Sequence, residues 1–214
     1  MFPHAKDSEP FVVVIDDDES VREALRGLFQ SVGLVTEIYA SVQDFLDGGQ
    51  LDRAGCIVLD IRLPGRSGLE FQEALARSGA AHSVVLISAH VDVQMAVRAM
   101  KAGAIDVLTK PVREQDLLEA VNRALAKDQQ RRGEAKLNQA LATRYATLSE
   151  RERQIFVLVA AGLLNKQIAE RAAITEATVK LHRSQVMKKM EAESLPDLVR
   201  MADRLARVES SPKL

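Results

Sequence analysis

The chain has 214 residues, 28% of them charged, a net charge of −1 and a single cysteine, Cys56. That length accommodates one large domain or two small ones, and a lone cysteine excludes an intrachain disulfide and a thiolate metal cluster. The longest apolar runs fall short of the about 18 residues that span a bilayer. The opening MFPHAKDSEP lacks the apolar core of a secretory signal, so a cytoplasmic protein with no membrane partner is expected.

The charge is unevenly spread. Residues 1–127 carry 13 basic and 19 acidic side chains, residues 128–146 carry 4 and 2, and residues 147–214 carry 12 and 9. An acidic first part suits a cation or a basic partner; a basic last part suits a polyanion.

In the first part, FVVVI (11–15), VTEIYA (35–40), GCIVLDI (55–61), VVLIS (84–88) and DVLT (106–109) read as strands. Three are almost wholly apolar, as parallel strands covered on both faces are. Cys56 lies in one of these runs and reads as a packing residue. Helical patterns lie between them: Val21, Leu25, Leu28 and Phe29 form one apolar stripe, and Val93, Ala96, Val97 and Met100 another. Gly33, Gly48, Gly49, Gly79 and Gly103 close helices or turns. The alternation predicts an α/β domain over residues 1–127, a doubly wound five-stranded parallel sheet with right-handed crossovers.

In such a sheet, ligands bind outside the carboxyl ends of the strands. Asp16 and Asp17 follow the first run, Asp60 closes the third, Ser88 the fourth, and Lys110 follows the last. Each alone has a plainer reading: DDDE as a solvated turn or helix cap, Lys110 as an exposed lysine, Ser88 as a strand-end hydroxyl. Together they describe one site, because carboxylates gathered on one edge repel each other unless a cation compensates them. Magnesium, a hard ion that takes oxygen ligands and retains waters, suits such a cluster.

Residues 128–146, DQQRRGEAKLNQALATRYA, lack an apolar face at first and then become weakly amphipathic, which reads as a partly helical linker. Residues 147–214 are all-helical in pattern: LSERERQIFVLVAAG, NKQIAERA, EATVKLHRSQVMKKM and SLPDLVRMADRLARV. Ser149 or Thr147 caps the first and Thr175 the third, with Glu152 three residues after Ser149 completing a capping box. The tight AAITE turn gives the second and third segments the look of a helix-turn-helix.

The set VIDDDES, LDIRLPGRSG, LISAHVDVQMAVRAMKAGA and TKPV resembles the flavodoxin-like receiver domain of two-component response regulators. The segment LSERERQIFVLVAAGLLNKQIAERAAITEATVKLHRSQVMKKM resembles the LuxR-type DNA-binding domain, and the pairing is similar to the NarL/FixJ class, with a FixJ-like receiver. The resemblance implies a phosphorylation-activated transcription regulator and not an enzyme. Asp60 would be the phosphoacceptor for a sensor histidine kinase, with Ser88 bonding a phosphoryl oxygen and Lys110 balancing its charge. It further implies Mg2+, with Mn2+ as a substitute, bound by Asp17, Asp60 and the Arg62 backbone carbonyl, and by Asp16 through water. Pro111 after Lys110 matches a cis peptide bond of the family.

In the basic domain the resemblance turns Lys180, Leu181 and Ser184 toward the major groove of double-stranded promoter DNA. Lys166, Thr175, Thr178, Arg183 and Lys188 are assigned to phosphates. Residues 176–190 carry Lys180, Arg183, Lys188 and Lys189 against Glu176 alone. The face from Val91 to Lys101, with the strand ending at Thr109, is the expected moving element and, by the resemblance, the pairing surface of a homodimer. The last helix either closes its own domain's core entirely or offers a second pairing surface, and RNA polymerase is a further partner.

Three departures bear on the switch: Val107 stands where the family carries Tyr or Phe, Val112 where Phe follows Lys-Pro, and Val91 where Gly is frequent. Arg62 and His90, two residues after Asp60 and Ser88, occupy positions that in the family influence access of the hydrolytic water. An aspartyl-phosphate phosphatase is disfavoured because it needs a second acid where Arg62 stands. The alternative kept open by Val107 is a constitutive DNA-binding regulator whose receiver only dimerises.

Overall fold

The computed structural model describes residues 11–48, 51–78 and 82–210; Gly49 and Gly79, read above as turn glycines, lie outside them. The strands are β1 (Phe11–Ile15), β2 (Thr36–Tyr39), β3 (Ala54–Asp60), β4 (Val84–Ser88) and β5 (Asp106–Thr109). All pair in parallel in the order β2-β1-β3-β4-β5. Helices α1 (Glu19–Ser31), α2 (Val42–Gly48), α3 (Gly68–Arg77) and α4 (Val93–Lys101) connect them, and α5 (Glu114–Ala146) follows. The sheet is therefore doubly wound, as the alternation predicts.

Strand residues alternate between two apolar cores. Val13, Ile15, Ile57, Leu59 and Leu86 pack with Phe45, Leu69, Phe71, Leu75 and Ala99 from α2, α3 and α4. Val12, Val14, Cys56, Val58, Val85 and Ile87 pack with Leu25 and Phe29 of α1 and with Leu117, Ala120, Val121 and Ala124 of α5. Cys56 is fully buried, and that burial drives its thiol pKa far up, so it packs as a small apolar residue.

Helix α4 departs from the simplest reading of its apolar stripe. It meets the core through Ala99 and Met95, while Val93, Val97 and Met100 are 79%, 47% and 50% exposed. Spacing identified the helix; the strands beneath it determined which face turned inward.

Two compact units divide at Arg131 and Arg132. The stretch 128–146 is helical throughout, more regular than a partly helical linker. Within the second unit, its last turns belong to the core, where Leu141 is buried and Tyr145 stacks edge-on against Phe156 at 5.4 Å. The other helices there are α6 (Glu150–Ala160), α7 (Asn165–Ala172), α8 (Glu176–Met190) and α9 (Leu195–Ser210). Ile155, Ile168, Val179, Val186, Met190 and Leu198 meet at the centre. Ser149 and Glu152 form the reciprocal capping box at α6, and Thr175 caps α8. Between α7 and α8, Ala173 takes a left-handed conformation with φ 52°, which makes the turn tight. Among the described residues no helix is long and apolar enough to cross a membrane.

Candidate functional site

The ends of β1, β3 and β5 deliver four charged side chains to one edge of the first unit. Lys110 Nζ donates to Asp16 Oδ2 and to Asp60 Oδ2, each at 2.6 Å. Asp16 is fully buried and Asp60 is 5% exposed, whereas Asp17 beside them is exposed. One carboxylate oxygen from each of Asp16, Asp17 and Asp60 lies within 4.8 Å of the other two. Such an all-oxygen set, part buried and part open to water, fits a hard divalent cation that keeps some of its waters.

Local sequence explains how the acids are held. The Asp18 backbone amide donates to Asp16 Oδ1 at 3.0 Å, while Asp18 itself caps α1 by accepting from the Ser20 amide at 2.8 Å. Of the DDD run, then, Asp16 joins the lysine, Asp18 starts the helix and Asp17 is left facing solvent. Asp60 Oδ1 accepts from the Arg62 amide at 2.9 Å, so both Asp60 oxygens are oriented before any ligand arrives. Gly68 opens α3 against this strand end; a Cβ there would lie 2.0 Å from the Asp60 carbonyl oxygen. Only glycine permits that approach.

Charge and burial compete at the lysine. Burial raises the Asp16 pKa, against the opposing pull of Lys110. Burial pulls the Lys110 ammonium down, yet its hydrogen bonds to Asp16 and Asp60 outweigh that effect and leave its pKa above the ordinary lysine value. The lysine is charged at neutral pH and stands where a bound anion would need a partner.

Ser88 is fully buried at the end of β4, adjacent to β3 and β5. Its hydroxyl is held by the following loop, donating to the His90 carbonyl at 3.2 Å. The Lys110–Pro111 peptide is cis. Val107 is partly buried against the α2–α4 core, and Thr109 is exposed. One contact had no signal in the spacing: Arg22, one turn into α1, donates to the backbone carbonyls of Asp16 and Asp17.

In the second unit Ala177, Lys180, Leu181, Ser184, Gln185 and Lys188 are all exposed, a continuous stripe along α8 at helical spacing. Leu181, 58% exposed in its middle, is an apolar side chain presented to solvent. Lys166 at the start of α7 is also exposed. Thr175 and Thr178 bond each other through their hydroxyls at 2.8 Å. Arg183 reaches back to Asn165 Oδ1 at 2.8 Å and ties α8 to the start of α7. His182 is half-buried, and Ala177 and Gln185 extend the stripe beyond the residues singled out in the sequence. Their i, i+4 relation to Leu181 was the signal available for them.

The doubly wound sheet with its acidic strand ends defines a receiver domain, and the second unit a helix-turn-helix domain. Residues 12–122 match the response regulator receiver domain family, and residues 146–202 the bacterial regulatory proteins of the luxR family. The chain is 46% identical over 203 residues to the response regulator protein TmoT of Ectopseudomonas mendocina, covering 94% of this chain and 92% of that one. It is 45% identical over 192 residues to the transcriptional regulatory protein FixJ of Azorhizobium caulinodans, covering 89% and 90%. The solved structure of the response regulator StyR superposes with a TM-score of 0.83 at 43% identity, over 92% of this chain and all of that one. The chain therefore belongs to the two-component response regulators that pair a receiver with a LuxR-type DNA-binding domain, and it is a transcription regulator.

Proposed function

We propose that this regulator is switched by transfer of a phosphoryl group from a sensor histidine kinase to Asp60. The observation that carries this reading is the Lys110 ammonium shared at 2.6 Å between Asp16 and Asp60, with Asp17 completing an oxygen cluster beside them. A partly buried cation beside an oriented carboxylate is what a phosphoacceptor needs, since phosphoryl transfer depends on positioning and charge balance.

Asp60 acts as the nucleophile: an oxygen–phosphorus bond forms, the bond from phosphorus to the donor imidazole breaks, and the imidazole nitrogen retains the electron pair. Lys110 then donates to a phosphoryl oxygen, and Ser88, released from the His90 carbonyl, donates to another. Asp16, Asp17, Asp60 and the Arg62 carbonyl would hold Mg2+, and the bound cation would supply positive charge against the phosphoryl oxygens. Arg62 and His90 set water access and hence the phosphoryl lifetime.

We take residues 1–127 as the receiver, 128–146 as the connection and 147–214 as the DNA-binding domain. The exposed apolar face of α4, with Val93, Val97 and Met100, pairs two phosphorylated receivers, and α9 offers Leu195 as a further apolar contact. Dimerisation places two α8 helices on paired half-sites, because one small module makes a small DNA interface. Lys180, Leu181 and Ser184 read bases; Lys166, Thr175, Thr178, Arg183 and Lys188 serve the phosphates. RNA polymerase is the downstream partner, and the protein works in the cytoplasm.

The test is incubation of the full chain with Mg2+ and a small acyl phosphate, followed by intact mass and oligomeric state, with Asp60→Asn alongside. One added phosphoryl group, absent from the variant, is the expected result. No transfer from this donor or from sensor kinases would instead favour a constitutive DNA-binding regulator, the reading that Val107 in place of an aromatic keeps in view.

A further inference from the structure

Arg22 was not among the residues that strand-end chemistry selected, yet it is built into the acidic edge. Its guanidinium Nη1 donates to the Asp16 carbonyl at 2.7 Å and to the Asp17 carbonyl at 2.9 Å. These are consecutive peptide oxygens of the loop that carries two of the three clustered carboxylates. The arginine is itself fixed, because its own amide donates to the Asp18 carbonyl at 3.0 Å in the first turn of α1, and Asp18 caps that turn. One side chain thus anchors two peptide units to the start of a rigid helix.

The two acids it spans differ in support. The Asp16 carboxylate is already held by Lys110 and by the Asp18 amide. Asp17 is exposed, and its carbonyl is held by Arg22. A divalent cation needs its oxygens placed before it arrives, since a wandering carboxylate loses conformational freedom on binding. Fixing the carbonyls of Asp16 and Asp17 fixes the two Cα atoms and hence the directions from which both carboxylates project. The guanidinium also adds a positive charge behind a group of acids that repel one another.

We infer that Arg22 is a positioning residue for the cation site: by clamping the Asp16 and Asp17 carbonyls it pre-sets the loop that presents their carboxylates. This rests on the reading of Asp16, Asp17 and Asp60 as a divalent-cation site and adds a residue that acts through the backbone. Partners that orient metal ligands typically contribute about 10–100-fold in affinity. An exposed loop residue such as Asp17 belongs at the lower end, so roughly tenfold is expected.

The experiment measures Mg2+ binding to the unphosphorylated full chain by calorimetry for the wild type, Arg22→Met and Arg22→Lys. It also measures the Mg2+ concentration giving half-maximal phosphorylation by a small acyl phosphate. Arg22→Met is expected to weaken Mg2+ binding about tenfold at an unchanged stoichiometry of one. It should raise the half-maximal Mg2+ concentration in parallel, while the rate at saturating Mg2+ stays within about twofold of wild type. Arg22→Lys keeps the charge on a shorter side chain that reaches the two carbonyls less well and should fall between the two. Lost stoichiometry in Arg22→Met would mean damaged folding, and Arg22→Lys then decides: weaker binding supports the clamp, unchanged binding overturns it. Unchanged constants in both variants overturn the inference and leave the cation site standing; no Mg2+ binding by the wild type removes the site and the inference with it.

Discussion

Replacing Lys110 by Met keeps an apolar stem of similar length and removes the ammonium from between Asp16 and Asp60. The structure sets the cost. Two charge-assisted bonds at 2.6 Å are lost, one of them to a fully buried carboxylate, while the lysine side chain itself is 20% exposed. Removing one partner of a buried pair costs about 3–5 kcal/mol, and the partial exposure selects the lower end, about 3 kcal/mol. Since every 1.4 kcal/mol is a factor of ten, receiver amides that exchange through global opening should exchange roughly a hundredfold faster. The measurement is hydrogen exchange with a chelator present, resolved by peptide so that receiver and DNA-binding domain are read separately.

Protonation of Asp16 makes the cost depend on pH. Burial holds the Asp16 pKa above its ordinary value of 3.8, and losing Lys110 removes the groups' main opposing pull. Between that value and the native pKa, the folded state binds more protons than the unfolded chain, so stability falls as pH rises through the window. The Lys110→Met penalty should therefore be smaller at about pH 5 than at about pH 8. Added Mg2+ should recover up to about 2.7 kcal/mol at a hundred times its dissociation constant. Stability within about 0.5 kcal/mol of wild type at about pH 8 without Mg2+ would mean that the ammonium does not hold Asp16 and Asp60 together.

Asp17 adds negative charge without joining the lysine, so Asp17→Asn should raise the receiver's melting midpoint in chelator and abolish the rise that Mg2+ gives the wild type, both visible by calorimetry. In the DNA-binding domain, Glu152 is buried against Lys189 at 2.6 Å, and that bond holds its pKa below the ordinary 4.5. Its contribution is present above the ordinary value and lost as pH falls through the native pKa, so an acid titration followed at Tyr145 should show the loss only in the wild type and not in Glu152→Gln. Lys188→Ala should weaken binding evenly across DNA sequences and reduce the salt slope by about 1, whereas Lys180→Ala should cost about 1–3 kcal/mol on the preferred sequence and relax the preference at one base pair; competition binding at two salt concentrations distinguishes them.

Much of this arrangement was legible in the residues because short apolar runs ended in polar side chains at the points where the chain leaves the sheet. VVLIS and DVLT have the same bounds in the sequence reading and in the structure. Ser149 and Glu152 announced the start of α6 by spacing alone. What spacing could not supply was direction. The stripe Val93, Ala96, Val97 and Met100 is helical, but a helix with small Ala99 on its other side rests on that side. The run DQQRRGEAK conceals part of α5 because its polar residues show no apolar face, although charged residues of this kind form helices well when anchored at both ends. The bonds from Arg22 to two carbonyls and from Arg183 to Asn165 were invisible for a different reason: a side chain reaching a backbone oxygen or a neighbouring helix leaves no periodic trace.

In the proposed switch, the strand-end site of the receiver governs what α8 does on DNA. Its most direct test is the affinity of the full chain for a duplex selected from a randomised pool, measured by fluorescence anisotropy before phosphorylation, after it, and for Asp60→Asn treated identically. Coupling between two sites is typically worth about 5–150-fold. Phosphorylation is expected to tighten binding within that range while Asp60→Asn stays at the unphosphorylated value; equal affinity in all three samples would mean that the receiver does not control DNA binding.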